Sequence, residues 1–530
     1  MMYLTGTGPA EVQEAIAELQ AGGKLQLNRG RFRDPITISG KRGSQSKPIT
    51  VRGPKATIGS GQDFQSYRVQ ANKLAEAHQK AGSFPGLYFM ADEAALVLKD
   101  CQWVILEDLC FENCWPTAIY IDNCQHITIR RVSFRGGTFA IGAAGPYTRH
   151  IVIEGCDWVQ DLDSHGLADV QSIRETGHTR SDLSAADCDL WSKIPWKAVH
   201  GAANEDGSVS VETDARAYDG DFFRAWTIAG YVIIRNNIIS DAFNGVHFFN
   251  QASATTKASF ARNVVVEDNW FVRVRDNAIE PEDYAWNWTI RRNKFVDCYV
   301  PFSFEMQHSG HFYVYGNLGW NNTVPGPEGD THASGALFKL SNLHDAGGPH
   351  YVFNNTWMLR GPIVKKKRLA GFEHRNNLIG YADGAARFKW EACSPLGNKW
   401  STGNLPATEL EDRLIFERDC FTRSWDELAI VFDGDFIGHR DYPDVLRSGG
   451  YQIGANAFSG EVSFQGDTPG QPLGLRAVSP PAATPFLIKW PDGTSTAINP
   501  AGYVVGAWQE DRIIELCDPA FLAVWPTVAP

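Results

Sequence analysis

A phrase of about two dozen residues returns along this chain, and it limits what the chain can fold into more than any other feature. It reads ITIRRVSF at 127–134, IVIEGCDW at 151–158, VIIRNNII at 232–239, VVVEDNWF at 264–271, WTIRRNKF at 288–295, FYVYGNLGW at 312–320 and YVFNNTWM at 351–358. The place of the central Asn is taken in turn by Leu109, Val132, Cys156, Asn237, Asn269, Asn293, Asn317, Asn355 and Asn377. The uninterrupted steps are 23, 24, 24, 24 and 22 residues, and the longer ones contain polar inserts. Each phrase is a short alternating strand, a turn and a second short strand, which describes one coil of a solenoid. A lone coil cannot bury its apolar side, whereas stacked coils can.

The period therefore predicts an all-β chain built as a parallel β-helix. Residues 9–20 place Val12, Ile16 and Leu19 on one helical face, and Gly22–Gly23 stop the helix. Because a solenoid needs its first coil covered, residues 1–45 read as an N-terminal capping helix and first coil. Residues 46–398 read as the β-helix, with inserts at 63–90, 173–222, 252–262 and 323–334. Inserts of this kind emerge on one face, often the binding face. Residues 399–530 lose the period and read as a C-terminal β-rich cap or module.

Composition narrows the partners. The net charge is −12, and the longest basic run is the KKKR of Lys365–Arg368, which argues against nucleic acid or an anionic membrane. No apolar stretch approaches the roughly 18 residues of a membrane span. The N-terminus lacks a charged and then apolar leader, so the expectation is either an intracellular protein or one numbered after a removed secretory or periplasmic signal. The tail has no coiled-coil pattern, which favours a monomer. Cys101 and Cys124 fall at equivalent places in successive coils, within disulfide reach, and buried free thiols are the preferred reading. No Cys or His spacing suggests zinc.

The coils carrying Asn237, Asn269, Asn293 and Asn317, the entry KLQLNRGRF and the closing GYVVGAW resemble the right-handed parallel β-helix superfamily, the pectin-lyase-like fold. The resemblance covers roughly residues 20–380. It implies a right-handed coil and the activities of that superfamily: polysaccharide lyases, glycoside hydrolases, uronate epimerases, tailspikes and adhesins. The Asn-Gly-x-Glu and basic strand of chondroitinase-B-like alginate lyases are not recognisable, nor is the Asp-Asp pair of polygalacturonases.

Aligning the second strand of each coil gives TAIYID (117–122), FAIGAA (139–144), HGLADV (165–170), NGVHFF (244–249), NAIEPE (277–282), PFSFEM (301–306) and ALFKLS (336–341). Side chains alternate along a strand. One outward row is then Tyr120, Gly142, Ala168, His247, Glu280, Ser303 and Lys339, and the next is Asp122, Ala144, Val170, Phe249, Glu282, Glu305 and Ser341. Glu280, Glu282, Glu305, Asp276 and His247 become candidate catalytic residues on three consecutive rungs. Acids crowded and partly shielded push one pKa up while another stays ionised, as acid–base catalysis requires. Carboxylates on adjacent rungs, as Glu282 and Glu305 are in this alignment, lie about 5 Å apart and suit a retaining glycosidase, whereas a two-rung gap of about 9–10 Å suits inversion.

Substrate contacts are expected from Asn244, Asn250, Asp283, Tyr299 and Lys339, with Trp286 and Trp288 as stacking platforms. Asp161, Asp163 and His165 read as turn residues that could extend the groove, while Asp219 and Asp221 end the long insert within possible reach of the acids. The expected function is a carbohydrate-active enzyme cleaving glycosidic bonds, preferably a glycoside hydrolase needing no cofactor. A polysaccharide lyase or uronate epimerase is the alternative, with Ca²⁺ held by Asp276, Glu280 and Glu282. A non-catalytic tailspike or adhesin is the reading from a different class.

Overall fold

A computed structural model shows how the coils stack. It describes residues 3–381 apart from gaps, the longest being 81–90, 200–214, 250–260, 322–336, 341–347 and 364–370. Beyond 381 it describes 414–421, three short strands between 429 and 459, and most of 463–513. Asn250, Ser341, the insert at 323–334 and most of that at 252–262 lie outside the described residues.

Each full coil feeds three parallel sheets. In one coil, Gln102–Glu107 joins the first sheet, Cys110–Glu112 the second and Thr117–Asp122 the third. The first and second sheets hold 13 described strands each and the third holds nine. Pairing is in line from rung to rung, so Val104, Ile127, Ile151, Val232, Val264, Trp288 and Phe312 form one inward column. A single apolar cluster runs from Val12 to Ile379 through the solenoid. Each large apolar side chain removed from water there stabilises the stack by about 1.5–3 kcal/mol.

The turn between the first and second sheets explains the repeated phrase. The residue before each ladder position is left-handed, with φ of 55° at Asn236, 57° at Asp268, 54° at Arg292, 49° at Asn354 and 56° at Asn376. Asn and Asp tolerate this conformation better than most side chains, and Gly316 meets it with φ 65°. The following Asn is buried and stacks on its equivalents. Asn269 Nδ2 donates to Ile234 O at 2.8 Å and to Asn293 Oδ1 at 3.0 Å, and the same pattern runs from Asn237 to Asn377. Asp419 closes the column, accepting from the Asn377 amide N–H at 2.9 Å.

Helix Pro9–Glu18 covers the first coil with Val12 and Ile16. Helix Phe64–Lys80 sets Tyr67 against Trp115. Cys101 and Cys124 stand as buried free thiols, with the Cys101 N–H 3.2 Å from Cys124 Sγ. No helix among the described residues is long and apolar enough to cross a membrane.

Two boundaries differ from expectation. HGLADV is not a rung: Gly166–Thr176 is a helix, ended by left-handed Gly177 at φ 73°. Its Asp169 pairs with buried Arg273, and its Val170 and Ile173 pack on Val159, Ile238 and Val272 of the second sheet. A short run that alternates like a strand can also supply one side of a helix. The coil is completed only by Asp221–Trp226, so the insert begins before 173 and ends before 221. The solenoid also passes 398, because Leu414–Glu417 and Cys420–Phe421 continue the first and second sheets. Further on, the hairpin of Phe486–Lys489 with Ser495–Ile498 packs back on Tyr313, Tyr351 and Phe353 of the first sheet.

Candidate functional site

The third sheet lines up Tyr120, Gly142, Arg224, His247 and Glu280 on successive rungs. Ile279 pairs with Phe302, which sets Ser303 beside Glu280, and Ser303 pairs with Lys339. These are the outward positions of their strands, with Arg224 in the place assigned to Ala168.

His247 is the hub. Its Nε2 lies 3.0 Å from Glu282 Oε1, and its Nδ1 lies 3.4 Å from Glu280 Oε2 and 3.3 Å from Asp221 Oδ1. Arg224 Nη1 donates to Asp221 Oδ2 at 2.9 Å and also packs against His247 Nδ1. Glu280 accepts hydrogen bonds from Asn277 Nδ2 and Ser303 Oγ, both at 2.9 Å. Asp221, Arg224, His247 and Glu280 are all buried. Glu282 is more open, its side chain 24% exposed, and it follows the strand Asn277–Glu280 with a left-handed backbone at φ 52°.

Charge crowding sets the protonation pattern. Burial and Arg224 oppose a charge on His247, but Glu280 and Asp221 outweigh them and raise its pKa to about 10. A guanidinium N–H facing Nδ1 would suit a neutral ring. Asp221 and Glu282 still face the ring when Glu280 is protonated, so imidazolium is favoured, with its N–H groups directed at carboxylates. Burial raises the Glu280 carboxyl above the usual range; His247 and Lys339 lower it, and Glu282 and Asp276 add to the rise. Burial works against a charge on Lys339, yet Glu280, Asp276 and Glu305 hold its pKa above the ordinary lysine value. Lys339 Nζ meets Glu305 Oε2 at 2.6 Å.

The structure thus gathers His247, Glu280 and Glu282 in direct contact, with Asp276, Glu305 and Lys339 around them. Asn244 serves the backbone, its Oδ1 accepting from the Asn277 N–H at 3.0 Å, and Asp283 is half-buried in the turn after Glu282. Trp288 cannot stack on a sugar. It points into the core, fully buried against Phe248 and Phe312, because it occupies an inward position of the first sheet. Trp286 is on that same first sheet, beside His311, rather than on the sheet of the acids. Tyr299 is buried under the long insert, against Trp191 and the Arg275 guanidinium. Asp221 enters the cluster directly and Arg224 joins it. The signal for both was DFFRAW, which stands before GYVIIR as FAIGAA stands before RHIVIE.

His247, Glu280 and Glu282 each offer a ligand atom, all within 4.8 Å of one another, a spacing open to a cation. Asp161, Asp163 and Asp189 form a second such group. There Asp161 Oδ2 accepts the N–H groups of Asp189 at 2.7 Å and Leu190 at 3.3 Å, which is the work of a turn and helix start.

Three parallel sheets wound coil upon coil define a right-handed parallel β-helix, and the acid cluster sits on the outside of its third sheet. Among solved structures, a PL6-family alginate lyase is similar at 11% identity and TM-score 0.48, over 98% of this chain. The chain spans 59% of that protein's length. A tailspike protein of an E. coli bacteriophage, in complex with a pentasaccharide, is similar at 12% identity and TM-score 0.43, over 86% of this chain and 72% of that one. A family 28 exopolygalacturonase of Yersinia enterocolitica is similar at 10% identity and TM-score 0.35, over 82% and 79%. No protein-family model matches the chain, and no curated protein matches its sequence.

Proposed function

We propose that the chain is a carbohydrate-active enzyme that hydrolyses a glycosidic bond, with Glu280 as general acid and Glu282 as the partner carboxylate. One observation carries this reading: a buried carboxyl held above its usual pKa stands within 4.8 Å of a more exposed carboxylate. That is the short spacing of retaining glycosidases, whose carboxyl groups lie about 5–5.5 Å apart. In this scheme the Glu280 O–H protonates the glycosidic oxygen as its bond to C1 breaks, and a Glu282 oxygen bonds to C1. Water then attacks C1, Glu280 takes its proton, and the bond to Glu282 breaks. His247 orients Glu282 through Nε2. A panel of neutral and uronate oligosaccharides, scored for new reducing ends, tests the proposal. Full turnover by Glu282→Gln on an identified substrate would defeat the assignment.

Uronate elimination is the second reading, favoured by the cation-compatible spacing of His247, Glu280 and Glu282 and by the nearby Lys339. Two carboxylates suit Ca²⁺, whose preferred ligands are oxygens, and the imidazole does not. This reading therefore stands behind hydrolysis. Unsaturated, ultraviolet-absorbing products and loss of activity on chelation would reverse the order.

A further inference from the structure

We propose that the third sheet carries a sugar-binding subsite beside the acid cluster, toward the N-terminal rungs, where Tyr120 and Phe249, three rungs apart, each hold the face of a different pyranose ring of one oligosaccharide. This rests on the reading of the chain as carbohydrate-active, and it adds where the substrate lies and how long it must be.

Outward positions of the first sheet carry charged ladders, such as Arg130 with Glu107 and Arg291 with Glu267. The corresponding surface of the third sheet is different. Strand Phe139–Ala144 presents only Gly142 and Ala144 outward, and the rungs on either side supply rings in their place. Trp226 and Phe249 continue the row of Ala144, while Tyr120 continues the row of Gly142. The rings of Tyr120 and Trp226 close over Gly142 with centroids 6.3 Å apart. A Cβ at Gly142 would stand 3.0 Å from Tyr120 Cδ2 and 3.1 Å from Trp226 Cζ3, so the glycine is what lets both rings settle.

Trp226 is 2% exposed and acts as floor, whereas Tyr120 and Phe249 remain partly open. The Arg224 guanidinium lies 6.0 Å from the Trp226 ring and 5.9 Å from that of Phe249, fixing the floor to the catalytic column. Phe249 is 6.4 Å from the His247 ring, so the aromatic surface is continuous with the acids. Asp122, with 27% of its side chain exposed, offers a carboxylate at the rim. Partly open ring faces with an acceptor at the rim are the chemistry that takes a pyranose face and its ring of hydroxyls. Tyr120 lies three rungs from His247, about 14 Å along the solenoid. Only an oligosaccharide of several units can occupy both places.

The experiment compares short and long members of one oligosaccharide series on the wild type, Tyr120→Ala, Phe249→Ala and Gly142→Ala, each checked for native circular dichroism. The expected result is that the long-over-short ratio of kcat/KM falls about tenfold in each single-ring variant. Gly142→Ala changes the same ratio without removing a ring. An unchanged ratio overturns the subsite and leaves the hydrolase reading standing. If the wild type cleaves nothing, calorimetric binding of the same series decides: weaker binding by Tyr120→Ala supports the subsite while cleavage fails, and no binding by the wild type overturns the subsite.

Discussion

Two buried polar columns run along this solenoid, and they differ in how their members are paired. In the Asn column every rung repeats one residue and one pattern: each amide donates to a carbonyl of the preceding coil and to the next amide, and each Oδ1 receives a backbone N–H. In the third-sheet column no rung repeats its neighbour. Arg224, His247, Glu280, Ser303 and Lys339 follow one another, with Asp221, Glu282 and Glu305 packed beside them. The first column is neutral and satisfied, which is how a fold holds buried polar groups at low cost. The second crowds carboxylates until protonation states shift, a costly arrangement that clusters at functional sites.

The contrast can be broken or sharpened by substitution. The largest effect is expected from Glu280→Gln, whose amide oxygen can still accept from Asn277 and whose NH2 can donate to the Ser303 hydroxyl, but which removes the acid. Turnover on an identified substrate falls by about 10²–10⁴, with little change in Tm; a fall in Tm without loss of turnover would make Glu280 structural. Asp169→Ala leaves the Nη1 end of the buried Arg273 guanidinium, which ties the long insert to the second sheet, without its acceptor, while Asp241 still pairs with the other end. Leaving a buried charged donor unpaired costs about 3 kcal/mol, and denaturant unfolding measures it.

In the Asn column, Asn293→Ala leaves the Asn269 backbone N–H and one of the two Nδ2 N–H bonds without an acceptor, the other still reaching Ile234 O. The expected loss is about 1–3 kcal/mol for each buried group left unpaired, read as a lower Tm with turnover unchanged in the folded fraction. A last test is pH dependence. His247 has a folded pKa of about 10, above its ordinary value of 6.5, so its contribution to stability is present below pH 6.5 and is lost as pH rises toward 10. Glu280, also raised, acts in the same sense from its ordinary value of 4.5 upward. Tm should therefore decline between pH 6.5 and 10. His247→Gln should flatten that decline, and a slope that persists in the variant would place its origin elsewhere.

Much of this was legible in the chain. The two-dozen-residue period predicts the coils, and the alternation of NGVHFF, NAIEPE and PFSFEM places His247, Glu280 and Ser303 on one outward row. Ala168 in that row was wrong because HGLADV alternates over six residues, while its continuation QSIRET extends a helix whose buried Asp169, Val170 and Ile173 face the second sheet. Residue type suggests a groove platform at Trp288, but its ring stands in the inward column with Val264 and Phe312. Asp419 lay beyond the last recognised coil, where 42 residues separate it from Asn377.

The sequence by itself determined the β-helix, its capping helix and the Asn column. The coils and the column rest on pairings between residues one coil apart, repeated often enough to be read as a period. The helix rests on the spacing of Val12, Ile16 and Leu19 along one face. Tertiary structure alone decided which strand closes the coil interrupted by the long insert. From Cys156 the next ladder residue is 81 positions away, and only stacking shows that Asp221–Trp226 lies between Phe139–Ala144 and Asn244–Phe249. That placement brings Asp221 and Arg224 to His247, because rung-to-rung contact follows the hydrogen-bonded sheet and takes no account of the length of chain looped out between strands.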